Sequence, residues 1–299
     1  MTESPLLSVV VPSVNGWSDL EYCLRALEAE RATVPIEVLV PERCGPSVRE
    51  AVARTFGEAR VMPVARDASI PAMRALAFAH ATAPTVVVIE DHVAVTQGWA
   101  AKFVAARAAG ARVIGGGIEN AATSRTVDWA AFLCEYSHAV APQKAAPAEA
   151  IAGNNTAYDR RLLEELHEVV ARGRWEDVLH DELRRRGEIL WHRPDIIAHH
   201  KKHFTVLGYV SQRFLYSRSY AGTHAAGRGA ARRALMGVSA LGLPPVLLAR
   251  IMNRTWRGRT HRAQLLRSLP LLLPFVVAWS IGETVGWWFG PGDALSRVT

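Results

Sequence analysis

The sequence predicts an α/β fold: a doubly wound, mostly parallel sheet, followed by a basic and apolar helical region. Three observations predict it. Short Val-rich apolar runs alternate with stretches of helical periodicity over the first two-thirds of the chain, a pattern that builds parallel sheets with helices on both faces. Polar residues cluster immediately after those runs, where ligands of such sheets bind. The last third loses its acidic residues and gains arginines and long uncharged tracts.

Residues 6–11 are continuously apolar and stop at Pro12, as a buried parallel strand does at a functional edge. In 17–29, Leu20, Cys23, Leu24 and Leu27 fall at helical spacing, with Ser18 as the expected N-cap. Strands follow at 36–40, 60–64 and 85–89, separated by helices at 47–56 and 70–81. Beyond them the pattern predicts a strand at 112–117 and helices at 159–172 and 179–186, the second ending at Gly187. A last short strand is expected at 189–191, before Pro194. Residues 123–150 give no clear signal; Trp129, Phe132 and Tyr136 suit either a binding groove or packing.

At 299 residues, 49% hydrophobic and 21% charged, the chain is long enough for a full core and an appendage. We expect a catalytic domain at 1–220 and a membrane-associated region at 221–299. The net charge of +7 is local: no Asp or Glu occurs between Ile196 and Gly282, where 13 Lys and Arg residues fall. Interleaving with apolar runs fits an anionic bilayer surface better than a nucleic acid, so no nucleic-acid partner is expected. The tracts 234–249 and 268–282 each fall short of the ~20 apolar residues of a comfortable span, although the second extends towards Trp288. Residues 250–267 would lie between them at the surface, with Trp279, Trp287 and Trp288 as an interface belt. Cys23, Cys44 and Cys134 are too scattered for a disulfide framework or zinc site, which points to a reducing cytoplasm, and no N-terminal signal pattern is expected.

The strongest chemical signal follows the strand at 85–89, where Glu90, Asp91 and His92 can hold a divalent cation against a diphosphate. Such a cation offsets charge on a departing phosphate. Pro12, Ser13 and Asn15 after the first strand, and Glu42 after the second, converge where a nucleotide base can sit. Gly115, Gly116 and Gly117 open no helix after a first strand, which argues against a dinucleotide loop.

The run Ser8 to Asn15, Glu42 after a strand, Ile89 to His92 with Gln97, Gly98 and Trp99 beyond it, and Gly153, Asn154, Asn155, Thr156 and Ala157 before a helix together resemble family 2 glycosyltransferases of the GT-A fold, over residues 6–220. The resemblance implies transfer of a sugar from a nucleotide diphosphate sugar with Mg²⁺ or Mn²⁺. It places Pro12, Ser13 and Asn15 by the nucleoside, Glu42 on the base or ribose, and Arg74 and Asn154 at the donor. Glu90, Asp91 and His92 occupy its aspartate-rich metal motif, with His92 where the family has an aspartate, and a bridging imidazole falls to His199 or His200, the first of which we place among the metal ligands. Arg213 and Arg218 match a basic, aromatic element over donor or acceptor. An inverting transfer needs a carboxylate to take the acceptor's proton, and the family sets it before a helix ending in Gly. Glu176 is the first candidate, then Asp177 and Asp181; Asp181 and Glu182 also suit a solvated face paired with Arg184 to Arg186. The expected function is an inverting hexosyl transfer to a lipid-linked or glycan acceptor at the cytoplasmic membrane face, in contact with membrane lipids, as in polysaccharide or cell-envelope biosynthesis. The alternative is a non-catalytic, membrane-tethered nucleotide-binding module.

Overall fold

The computed structural model describes residues 4–140 and 144–299. The chain forms two compact units. The first comprises Met1–Glu119 and Ala139–Lys201, the second Asn120–His138 and Lys202–Thr299. A helix from inside the first stretch thus belongs with the C-terminal helices.

In the first unit the chain runs β1 (Leu7–Val10), α1 (Trp17–Arg31), β2 (Ile36–Glu42), α2 (Pro46–Thr55), β3 (Arg60–Pro63), α3 (Ile70–Phe78), β4 (Thr85–Val88), β5 (Val93–Val95), α4 (Trp99–Ala108) and β6 (Val113–Asn120). After α5 (Thr126–Tyr136), which belongs to the second unit, come β7 (Ala146–Pro147), β8 (Thr156–Asp159), α6 (Arg160–Glu165), α7 (His167–Ala171), α8 (Glu176–Arg185) and β9 (Leu190–His200).

The sheet order is β3-β2-β1-β4-β8-β6-β9-β5, with β7 on β9. Strands β3, β2, β1 and β4 are parallel, and β8 joins β4 antiparallel. This is the expected α/β class, with its parallel half leading to the ends of β1, β2 and β4. Strands β1 and β4 are buried on both faces, which explains their unbroken apolar runs. One face packs Val9, Leu20, Leu24, Val38, Val87 and Phe103; the other packs Val10, Leu39, Val86, Leu162 and Leu183.

Local differences from the sequence reading have physical causes. Helix α1 is capped not by Ser18 but at Gly16, whose φ of 96° lets the chain turn where the preceding loop is tied down. The helix expected over 159–172 is broken at Leu166 into α6 and α7, and Thr156–Asp159 is a central strand instead. Asp159 caps α6 by accepting from the Arg161 amide. Strand β9 continues through Pro194 to His200, far beyond the short strand expected at 189–191.

The second unit contains α5, α9 (Val206–Ala225), α10 (Ala230–Ala240), α11 (Leu243–Gly258), α12 (Arg262–Phe289) and α13 (Ala294–Arg297). Helix α12 is its central element and packs against α5, α9, α10 and α11. Gly282 and Gly286 let α9 approach closely: a methyl at Gly282 would lie 2.1 Å from Ser217 Oγ, and one at Gly286 2.5 Å from the Arg218 carbonyl. Among the described residues α12 alone is long and apolar enough to cross a membrane by length and composition; α10 and α11 pass that test only as a pair, bent by 55°.

Candidate active site

The ends of β1 and β4 are stitched together by one carboxylate. Asp91 is buried, and its Oδ2 accepts from the amides of Val14 (2.7 Å) and Asn15 (2.9 Å). Its Oδ1 accepts from Asn15 Nδ2 at 2.6 Å and faces His92 Nδ1 at 3.1 Å. Burial would raise its pKa, but hydrogen bonds and charge from His92, with Asn15 and Val14, hold it below the usual range. Asp91 thus ties down the loop after β1 and orients His92, and it lies outside the Glu90, His92 and His200 group.

The residues brought together as cation ligands are Glu90, His92 and His200. His92 Nε2 lies 2.9 Å from His200 Nε2 and 3.2 Å from Glu90 Oε2, and His200 Nε2 lies 3.6 Å from the same oxygen. Strand pairing selects His200 over His199. Val93 pairs with His200 and Ala94 with His199, so successive side chains of β9 alternate in face; His200 is buried and His199 exposed. The other histidines disperse, His203 bonding Asp128 in the second unit. Burial favours protonated Glu90, but the hydrogen bond and charge of His92, then His200 and Arg74, hold its carboxyl far below the usual range.

These residues fit a divalent cation. His92 Nδ1 lies against Asp91 and its Nε2 faces the Nε2 of His200, an arrangement that a proton or a cation between the two rings satisfies. Asp91–His92 is the carboxylate–imidazole arrangement that orients a metal-ligating histidine. Two imidazoles and one carboxylate suit a divalent transition metal better than Mg²⁺.

One short loop joins this cluster to the candidate base. Asn154 Nδ2 donates to Glu90 Oε2 at 3.0 Å, and the Glu90 amide donates to Asn154 Oδ1 at 3.3 Å. The preceding residue, Gly153, faces Glu176: a methyl there would sit 1.9 Å from Glu176 Cδ. Asn155 holds a φ of 58°, a strained value for a side-chain-bearing residue. Its side chain accepts from Trp99 Nε1 (2.8 Å) and donates to the carbonyls of Gly117 and Ile196.

Glu176 opens α8, and its Oε2 accepts from Arg74 Nη1 at 3.0 Å. Arg74, Phe78, Gly153, Tyr158, Trp175 and Glu176 line a small cleft. The other acids differ. Asp177 has both carboxylate oxygens shut off from solvent and does not line the cleft. Asp181 is exposed and ion-paired with Arg184, the solvated-face arrangement. On the buried face of α8, the His180 ring meets the Tyr158 hydroxyl at 2.7 Å.

Several expected donor contacts are otherwise engaged. Glu42 is fully buried, its Oε1 accepting from the Gly45 amide (2.6 Å) and its Oε2 from Arg49 (2.9 Å), so it braces the turn into α2. Pro12 and Ser13 are buried beside it, and Ser13 bridges to Glu42. Arg213 and Arg218 lie in the second unit. The Arg213 guanidinium is buried 4.6 Å from the Tyr216 ring and 4.9 Å from the Trp279 ring, and Arg218 Nε donates to the Gly290 carbonyl at 3.3 Å, so both are spent on packing α9. Gly153 was not singled out by sequence reasoning as a neighbour of the base; its place in the Gly-Asn-Asn segment was the available signal.

No protein-family model and no curated protein matches the chain by sequence. Among solved structures, the fold is similar to that of a glycosyltransferase, the mannosyltransferase PcManGT from Pyrobaculum calidifontis, solved with GDP-Man and Mn²⁺. The identity is 18%, the TM-score 0.56, and the match covers 94% of this chain and 88% of that one. S. aureus TarS, residues 1–349, is more distant, at 15% identity and a TM-score of 0.49, covering 90% of this chain and 80% of that one.

Proposed function

We propose that this chain is a nucleotide-sugar-dependent glycosyltransferase of inverting type. The observation that carries this reading is the placement of Glu90, His92 and His200 at the carboxyl end of the parallel strands, joined through Gly153 and Asn154 to Glu176 in a small cleft. The fold shared with a mannosyltransferase holding GDP-Man and Mn²⁺ supports it and makes GDP-mannose the first donor to test.

Glu90, His92 and His200 would hold the cation, which when bound offsets charge on the nucleoside diphosphate leaving group. Glu176 takes the proton of the acceptor hydroxyl as that oxygen attacks the anomeric carbon from the face opposite the diphosphate. The bond from that carbon to the diphosphate oxygen breaks, leaving an inverted glycoside and a nucleoside diphosphate. Arg74 holds the Glu176 carboxylate in place and adds positive charge near Glu90. The acceptor in this reading is a lipid-linked sugar or glycan at the cytoplasmic membrane face; the basic, apolar composition of the second unit supports that part.

The test is donor turnover by the purified chain with GDP-mannose and UDP- and dTDP-sugars, in Mn²⁺ or Mg²⁺. Product of inverted configuration with one donor, lost in Glu176→Gln, is the expected result. Metal-dependent nucleotide binding with no turnover of any donor would overturn it in favour of a non-catalytic nucleotide-binding module.

A further inference from the structure

The second unit carries 14 Lys and Arg residues against four Asp and Glu, a formal +10 in a chain whose total is +7, so the first unit stands at −3. The excess is concentrated on helices whose outward faces are apolar. On α11, Val246, Ala249, Met252 and Trp256 recur at helical spacing and are exposed, and Arg250, Arg254 and Arg257 recur on an adjacent exposed stripe. None of these three arginines is ion-paired to a carboxylate among the described residues. On α10, Leu235 and Val238 are exposed, with Leu241 following at its end. On α12, Leu266, Pro270, Leu273, Val277, Ile281 and Trp288 form one exposed stripe with no charge between Ser268 and Gly282.

We propose that this surface docks in the plane of an anionic bilayer, α11 lying in the interface with its apolar stripe among the acyl chains and Arg250, Arg254 and Arg257 on anionic headgroups. This specifies the membrane part of the reading above and rests on it. A helix with arginines on its polar face and Met and Trp on the other is the interfacial kind, and the charge selects a membrane surface with excess phosphate. Nucleic acid would meet the same arginines but leave Leu235, Val238, Met252 and Trp256 in water.

The packing argues against spanning. The uncharged part of α11, Leu243 to Ala249, rises only about 10 Å at 1.5 Å per residue, against a hydrocarbon core of about 30 Å. The chain bends by 55° between α10 and α11. Helix α12 buries 44% of its apolar window inside the unit and bonds its neighbours through Ser280 to the Ala240 carbonyl and Thr284 to the Gly237 carbonyl. It is a core helix with one apolar face left over.

The test is flotation of the full chain with vesicles of phosphatidylcholine alone or with phosphatidylglycerol, with donor turnover measured on the same preparation. Wild type should bind the anionic vesicles, more weakly as salt rises. The triple variant Arg250→Gln, Arg254→Gln, Arg257→Gln should bind them about a hundredfold less well, which at 1.4 kcal/mol per tenfold is about 1 kcal/mol per arginine. Trp256→Phe should remove a fluorescence component that lipids brominated on the acyl chain quench. Equal binding to both vesicle types, an unaffected triple variant, or protease cleavage of the C-terminus from the opposite side of a sealed vesicle would each overturn the proposal. Turnover without vesicle binding would sink the docking and leave the transferase standing; vesicle binding without turnover would do the reverse.

Discussion

The Nε2 atoms of His92 and His200 face each other at 2.9 Å, with Glu90 Oε2 within 3.6 Å of both. Nothing adjacent in sequence joins these two imidazoles; β5 and β9 pair and bring them together. Buried imidazoles in this relation are held either by a shared proton or by a cation, and the carboxylate beside them stabilises both.

Removing either ring should therefore abolish tight Mn²⁺ binding, whereas removing the neighbouring His199 should not. We expect His92→Ala and His200→Ala to weaken Mn²⁺ binding at least a hundredfold by calorimetry. His199→Ala should bind as wild type does. Asp91→Asn should cost about 10- to 100-fold by loosening the orientation of His92.

Glu176 is the carboxylate in the cleft, and Asp181 is a surface partner of Arg184. Glu176→Gln should lower kcat about a hundred- to ten-thousandfold, the range for loss of a general base, with donor affinity nearly unchanged. Asp181→Asn should change kcat less than twofold. A reversed order in steady-state kinetics would reassign the base.

Gly153 leaves room for the Glu176 carboxylate, and a methyl there would overlap it. Displacing the far end of a glutamate is cheap for the fold but moves the reacting group. Gly153→Ala should reduce kcat at least tenfold while KM for the donor and the melting temperature change little. A fall in melting temperature with kcat retained would show that the glycine serves packing instead.

His180 gives a pH signature for stability. Burial, assisted by the nearby charges of Arg184 and Arg74 and opposed by Asp181, lowers its pKa to about 3. Depression below the unfolded value of about 6.5 means that stability is fully present above that pH and is lost as pH falls towards 3. Between pH 7 and pH 5 this one group should cost about 2 kcal/mol, at about 1.4 kcal/mol per unit. Urea unfolding of His180→Gln should show a correspondingly shallower loss; identical pH slopes would mean that the ring is protonated in the folded protein.

The parallel half of the sheet was legible because its strands are buried on both faces and so must be apolar throughout. The Glu90 to His92 turn and the Glu176 helix start were legible for a related reason: charge at the end of an apolar strand or before an amphipathic helix has to face a cleft or solvent. Strand β8 was not, because Thr156 to Asp159 is too short and polar to show a period and is strand only between β4 and β6. Strand β9 hid behind Pro194, and α4 and α5 lay in stretches without a decisive pattern.

By itself, then, the sequence determined the α/β class, the order of the parallel strands' elements, the acid and imidazole types of the site, and the charge-segregated C-terminal third. Tertiary structure alone decided which of those groups meet. Four hydrogen-bonding contacts tie Asp91 to the loop after β1 and to His92, and strand register sets His200 rather than His199 beside His92, because alternate side chains take opposite faces. Glu42, Arg213 and Arg218 went to internal partners for a similar reason, since a buried charge is stable only with a partner or an aromatic face at hand. Composition fixes what chemistry a chain can hold; pairing and burial over long sequence separations decide where it is held.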